Sequence, residues 1–204
     1  MIRAAVIGGI GSGKTFVAKL FKCPVFNADD EVKYIYKKNK ECFNKLKKKL
    51  PKFIKKFPIK KKELISSINS NKKNLKIISS VVHPFVRKNM KKFVIRNKNS
   101  EMIIFDIPLL IENKLNKKKD IIIFVKSKKS KVLNRLKKRP NFDEKLIRNL
   151  KENQVILSKK IKLADYVINN NFSANLMKSK VKIIKKKILN ERNSSRYSDN
   201  RTIR

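Results

Sequence analysis

The sequence predicts an α/β fold with a parallel sheet covered by helices on both faces. Three observations carry this. Five short apolar runs read as strands. Segments with apolar residues at helical spacing separate them. Residues 31–98, between the second and third runs, hold no strand pattern and read as a helical insertion.

Taken in order, "AAVIG" (4–8) is a short apolar run ending at glycine, as a buried strand does. "KTFVAKLF" (14–21) sets Phe16 or Val17 with Leu20 and Phe21 at helical spacing. "PVFNAD" (24–29) reads as a second strand, with the acidic pair Asp29 and Asp30 at its end. "EVKYIYKKNKECFNKLKKKL" (31–50) has a helical pattern and stops at Pro51. "KELISSINS" (62–70) is a short helix, and "NLKIISSVVHPFVRKNMKKFVIRN" (74–97) a longer one with Pro84 as a break or a start. "MIIFDI" (102–107) and "DIIIFV" (120–125) are almost wholly apolar, the pattern of strands buried on both faces. "SKVLNRLKKR" and "DEKLIRNLKENQVILSKKIKL" are helical and separated by Pro140. "ADYVINNN" (164–171) is a last strand, and "ANLMKSKVKIIKKKIL" (174–189) a closing helix. Residues 191–204 are polar and read as a disordered tail.

Charge is the compositional outlier: 55 Lys and Arg against 15 Asp and Glu, a formal net charge of +40. Such a balance fits a nucleic-acid binder. Here the lysines spread over almost the whole chain and form no stripe, while Asn and Ile are abundant, Gly is scarce and Trp is absent. Drift in an AT-rich coding background accounts for that, so no specific nucleic-acid partner is expected. The positive field still attracts polyanions, nucleotides included. Cys23 and Cys42 lack C-x-x-C spacing and His83 is the only histidine, so these residues assemble no zinc cluster. The longest apolar run carries Asp106, and the first residues lack a signal-peptide pattern. A reduced cytoplasmic protein without membrane contact is expected, as a monomer or weak homo-oligomer.

All four glycines, Gly8, Gly9, Gly11 and Gly13, fall in "GGIGSGKT". Gly8-x4-Gly13-Lys14-Thr15 fits the phosphate-binding loop G-x-x-x-x-G-K-[ST], and it stands between a strand and a helix as that loop requires. Backbone N–H groups of Gly8, Gly9, Ile10, Gly11, Ser12 and Gly13 would wrap a phosphate chain that side chains would obstruct. Lys14 would reach the β and γ phosphates, and Thr15 would offer its hydroxyl to Mg²⁺. Elsewhere the chain turns with Asn, which tolerates left-handed backbone. No glycine follows residue 13, so the D-x-x-G switch of a GTPase is excluded, and no N-K-x-D base-recognition motif occurs. The reading is a P-loop NTPase fold in a small-molecule kinase, with the helical insertion holding the acceptor and a helical flap closing over ATP.

Two carboxylates stand where α/β sheets bind ligands, at strand ends. Asp29 accepts or orients a proton of the acceptor, or else caps the helix that starts at Asp30. Asp106 holds Mg²⁺ as a Walker-B carboxylate does, or else caps the turn begun by "IPLL".

"GGIGSGKT", "NAD", "HPFVR", "DIPLLIE" and "ADYVINN" occur in the order found in dephospho-CoA kinase, and over roughly residues 2–190 the chain resembles that family. The resemblance implies transfer of the ATP γ-phosphate to the ribose 3′-hydroxyl of dephospho-CoA, giving coenzyme A. It implies a five-stranded parallel core (1–30, 100–126 and 164–190), a helical acceptor lobe (31–99) and a lid (about 127–150) within one domain, 1–190. It also favours the catalytic role for Asp29. Asn27, His83, Arg87, Glu112, Gln154 and Lys160 would contact the acceptor; the alternatives are a structural role for His83 and a solvated helix position for Glu112. Arg135 and Arg139, four apart on one helix face, match lid arginines that close over the phosphates; their alternative is a solvated basic face. Asn170 falls at the adenine-binding turn. Two departures stand out. The family's usual D-A-D is Asn27-Ala28-Asp29 here, and Leu150 replaces an expected arginine. If the segment stays extended, residues 27 and 29 share a face and Asp30 points away. Other P-loop small-molecule or nucleoside kinases, and then a basic nucleic-acid-binding ATPase, are the competing readings.

Overall fold

The computed structural model describes residues 1–108, 110–112, 115–138 and 156–199. Five strands form one sheet in the order β2-β3-β1-β4-β5, and every neighbouring pair is parallel. They are β1 (Ile2–Gly8), β2 (Val25–Asn27), β3 (Met102–Asp106), β4 (Ile121–Lys126) and β5 (Tyr166–Asn169). The described helices are α1 (Lys14–Leu20), α2 (Ala28–Lys38), α3 (Lys40–Lys49), α4 (Lys61–Ser70), α5 (Lys73–Arg96), α6 (Lys129–Lys137), α7 (Leu157–Lys162) and α8 (Ala174–Asp199).

The near-continuous apolar strands divide their side chains between two cores, as the two-residue strand period demands. Ala5, Ile7, Ile103, Phe105, Ile122 and Phe124 pack on the side of the lobe α2–α5. Ala4, Val6, Met102, Ile104, Ile123 and Val125 pack on the other side with Val17, Phe21, Met177 and Val181 from α1 and α8. Register then brings the functional ends together: Val6 and Asn27 both pair with Asp106, which places β1, β2 and β3 level at their carboxyl edge.

Three expectations change in the structure. The helical run 31–50 is two helices hinged at Asn39, which ends α2 and caps α3 by accepting from the Cys42 N–H at 2.8 Å. Pro84 neither breaks nor starts a helix; α5 runs through it. An interior proline costs ~3 kcal/mol. Burial of Val81, Val82 and Val86 on the flanking turns offsets that at about 1.5–3 kcal/mol each. Finally, α8 continues to Asp199, into the stretch read as a tail. No glycine or proline interrupts it, and the Tyr166 hydroxyl of β5 donates to Glu191 at 2.7 Å, tying the helix to the sheet beyond residue 190.

A buried ion pair joins α7 to the turn after β3. Lys160 of α7 is fully buried, and its Nζ lies 2.6 Å from Glu112 Oε1 in the turn after β3 and 3.5 Å from the Pro108 carbonyl. Removing one partner of such a pair strands a buried charge, which costs about 3–5 kcal/mol. Lys160→Met is therefore expected to lower unfolding free energy by about that much in urea titration, and Glu112→Leu added to it to restore most of the loss. A single substitution within about 0.5 kcal/mol of the parent would contradict the assignment.

Candidate active site

The loop 8–13 is held from outside by protein groups as well as shaped from within. The Ser12 carbonyl accepts two bonds, from Asn170 Nδ2 at 2.8 Å and Ser127 Oγ at 3.0 Å. Lys14 Nζ, buried, donates back to the Gly9 carbonyl at 2.9 Å. Gly11 has φ +77°, and a Cβ there would lie 2.9 Å from Val132 Cγ1 and 3.1 Å from Leu136 Cγ, both on α6. Gly13, at φ +90°, caps α1, and a Cβ there would collide with the Asn170 amide. The helix that carries Arg135 thus rests directly on the loop. The glycines exclude a Cβ for the sake of these protein neighbours as well as for a phosphate.

The carboxyl edge centres on one oxygen. Asp106 Oδ2 accepts from Thr15 Oγ1 at 2.6 Å and from Asn27 Nδ2 at 2.6 Å. Asp106 is 2 % exposed. Burial raises its carboxyl above the usual range; the Thr15 bond, the Lys14 cation and the Asn27 bond oppose that, and the nearby Asp29 charge adds to it. Asp29, in the first turn of α2, is thus near enough for its charge to act on Asp106. Thr15 and Asp106 present hard oxygen donors of the kind Mg²⁺ takes alongside phosphate and water.

The expectation of an extended segment 24–29 is corrected here. β2 ends at Asn27, and Ala28 begins α2, so Asp29 sits exposed in the first helical turn rather than at a strand end. Nor does Asp29 cap that helix. Asn27 does, accepting from the Asp30 N–H at 2.8 Å. Residue 27 is polar on both sides, amide to Asp106 and carbonyl to Asp30, which a strand-only reading cannot show. Among the described residues, the Asp106 side chain bonds to Thr15 and Asn27.

The remaining candidates separate. His83 and Arg87 lie one turn apart on α5, with His83 half-buried and Arg87 exposed. Burial, then the Arg87 cation, lowers the His83 pKa, so its ring is neutral at neutral pH. Glu112 is not a solvated helix residue; it is in a turn and paired with Lys160. Asn170 is 3 % exposed, with its amide on Ser12 and its carbonyl accepting from the Phe172 N–H at 2.8 Å. Arg135 places its guanidinium over the Phe172 ring, 4.3 Å from the centroid. Arg139 and Gln154 lie outside the described residues.

A groove of about 840 Å³ opens along β2 between α2 and α5, lined by Asn27, Asp30, Tyr34, Lys92 and Arg96 among others. On α5 its residues turn away from His83 and Arg87, by helical spacing.

Sequence reasoning missed Ser127, Val132, Leu136 and Phe172. "SKKSKV" gives no sign that one serine reaches the loop. It also expected Asn to supply left-handed turns. Among the described residues the non-glycine positions of positive φ are Lys22 (+51°) and Phe172 (+68°). The asparagines act through side-chain oxygens instead: Asn27, Asn39, Asn71, Asn170 and Asn171 each accept a backbone N–H two or three residues on.

Residues 3–175 match the family model described as "Dephospho-CoA kinase". A dephospho-CoA kinase of Wolbachia pipientis is 30% identical over 185 residues, covering 88% of this chain and 94% of its own. One from Bacillus thuringiensis is 32% identical over 187 residues, with the same coverage of 88% and 94%. A Thermus thermophilus crystal structure superposes with a TM-score of 0.74 at 25% identity, over 93% of this chain and 97% of that one. The dephospho-CoA kinase structure from Campylobacter jejuni shares the fold, with a TM-score of 0.65 at 21% identity over 93% and 98%. With the loop, the paired strand ends and the helical lobe already in place, this chain belongs to the dephospho-CoA kinase family.

Proposed function

We propose that this chain transfers the γ-phosphate of ATP to the ribose 3′-hydroxyl of dephospho-CoA, giving coenzyme A and ADP. One observation carries the reading: in a chain of this family, the phosphate loop, the Thr15–Asp106–Asn27 node and Asp29 converge at one edge of the sheet beside a helical lobe.

Phosphoryl transfer asks for positioning and charge neutralisation more than covalent chemistry. The loop amides and Lys14 bind the phosphates, Lys14 leaving the Gly9 carbonyl to do so. Thr15 and Asp106 would hold Mg²⁺, which would supply neutralisation of the phosphate charge. Asp29, on the first turn of α2, accepts the proton of the 3′-hydroxyl as its oxygen attacks. His83, neutral, and Arg87 contact the acceptor from α5, Arg87 through a phosphate. Arg135 and Arg139 meet the transferred group from the lid side. Glu112 and Lys160 act by bracing the turn after β3, Gln154 adds an acceptor contact, and Asn170 fixes the loop.

ADP release with dephospho-CoA as sole acceptor tests the function; turnover no higher than with ATP alone, from folded protein, would sink it. For Asp29, substitution by Asn is expected to lower kcat by about 10²-fold or more while the KM for ATP stays within a few-fold. A near-normal rate would remove its role.

Asp106 gives a prediction of opposite signs. Its raised pKa means that ionisation costs the free fold stability, a cost absent at low pH and incurred as pH rises through that pKa. Mg²⁺ needs the ionised form, so the melting-temperature gain from Mg²⁺ plus a non-hydrolysable ATP analogue should grow with pH over the same range. Asp106→Asn can still accept from Thr15 and Asn27. It is expected to melt at or above the parent temperature at neutral pH and to lose the Mg²⁺-dependent gain. Retention of the full gain would rule out Asp106 as the metal-holding group.

A further inference from the structure

Phe172 is the odd residue of the last turn. Its φ is +68°, a region that bulky side chains avoid. Asn171, one residue earlier, is a type that tolerates this region, yet the left-handed position falls on the aromatic. Two side-chain turns fix it there: Asn170 accepts from the Phe172 N–H at 2.8 Å, and Asn171 from the Ser173 N–H at 3.1 Å. Strain of this kind persists where the surroundings over-determine it, and it clusters at functional sites.

The ring does not go into the interior. It joins neither hydrophobic core. It is half-exposed and lies between two parts of the site. On one side its Cε1 would be 3.6 Å from a Cβ on Gly13, the last glycine of the phosphate loop. On the other, the Arg135 guanidinium sits 4.3 Å from its centroid. Arg135 is otherwise an exposed side chain near the end of α6. A flat guanidinium stacks on an aromatic face, while a lysine in its place would not do so equally well.

We propose that Phe172 is a positioning residue for Arg135. Its ring seats the guanidinium beside the phosphate loop, so that Arg135 is ordered before the nucleotide arrives. The stack removes side-chain freedom from a cation whose use depends on orientation, and it keeps the positive charge available because the ring accepts no proton and forms no ion pair. The same turn, through Asn170, holds the Ser12 carbonyl, so arginine and loop share one reference frame. The proposal rests on Arg135 acting on the transferred phosphate.

Steady-state kinetics with ATP and dephospho-CoA test it. Wild-type turnover checks the reaction itself, and only ratios to wild type bear on Phe172. Phe172→Tyr keeps the ring and is expected to keep kcat within about twofold. Phe172→Leu is expected to lower kcat about tenfold, with the KM for ATP within about twofold. Phe172→Gly, which relieves the backbone strain and so stays folded, is expected to lose as much. In an Arg135→Ala background, Phe172→Leu is expected to add no further loss. Unchanged kcat in the Leu and Gly variants would overturn the proposal. So would an undiminished Phe172→Leu effect in the Arg135→Ala background. A raised KM for ATP at unchanged kcat would make the ring a platform for the base instead, and would equally overturn it.

Discussion

One carboxylate oxygen organises the working edge of this protein. Asp106 Oδ2 receives the Thr15 hydroxyl and the Asn27 amide, each at 2.6 Å. Three chain segments meet there: the end of β3, the start of α1 behind the phosphate loop, and the β2–α2 junction that carries Asp29. The carboxyl is buried and inclined to hold a proton. A carboxylate in such a place is tolerable only with donors around it. The two donors make the unloaded edge stable; a metal would take over part of their task.

The fold was legible because its signals are periodic and redundant. The apolar runs at 102–107 and 120–125 announce doubly buried strands, and the structure divides them between two cores. The phosphate loop was legible because its residue types are irreplaceable at fixed spacing. What could not be read depends on single bonds or dihedrals. Nothing in "PVFNADDEV" says that the chain turns helical at Ala28, since the decision lies in Asn27 finding both Asp106 and the Asp30 N–H. Nothing in "NNNF" places positive φ on the phenylalanine. The Glu112–Lys160 pair was foreseen only as two separate site residues, because contact across 48 positions leaves no local pattern.

The glycines illustrate how a correct motif can rest on an incomplete reason. A loop that wraps phosphate needs open amides, and that argument holds. The described structure adds a second demand. Val132 and Leu136 of α6 press on Gly11, Leu157 approaches Gly9, and the Asn170 amide occupies the space beside Gly13. The helices α6 and α7 and the last turn all approach the loop. A methyl group at Gly11 or Gly13 would displace protein before it met any nucleotide. Loop and α6 therefore form one packed unit, and a shift of α6 cannot leave the loop untouched.

Asn27 shows what the bonds around Asp106 gain from the departure at this position. The resemblance implies a carboxylate at this position. A second carboxylate within hydrogen-bonding reach of Asp106 would add repulsion on the order of 4 kcal/mol at about 4 Å and an effective dielectric of 20. A shared proton or a bound cation would have to relieve it. The amide reverses the sign of that contact. It donates to Asp106 while its carbonyl caps α2, so the same side chain that quiets the buried charge also aims the helix bearing Asp29. In a chain carrying +40 overall, removing one more negative charge does nothing for global balance. The benefit is local: the geometry linking Asp106 to α2 is complete before any metal binds.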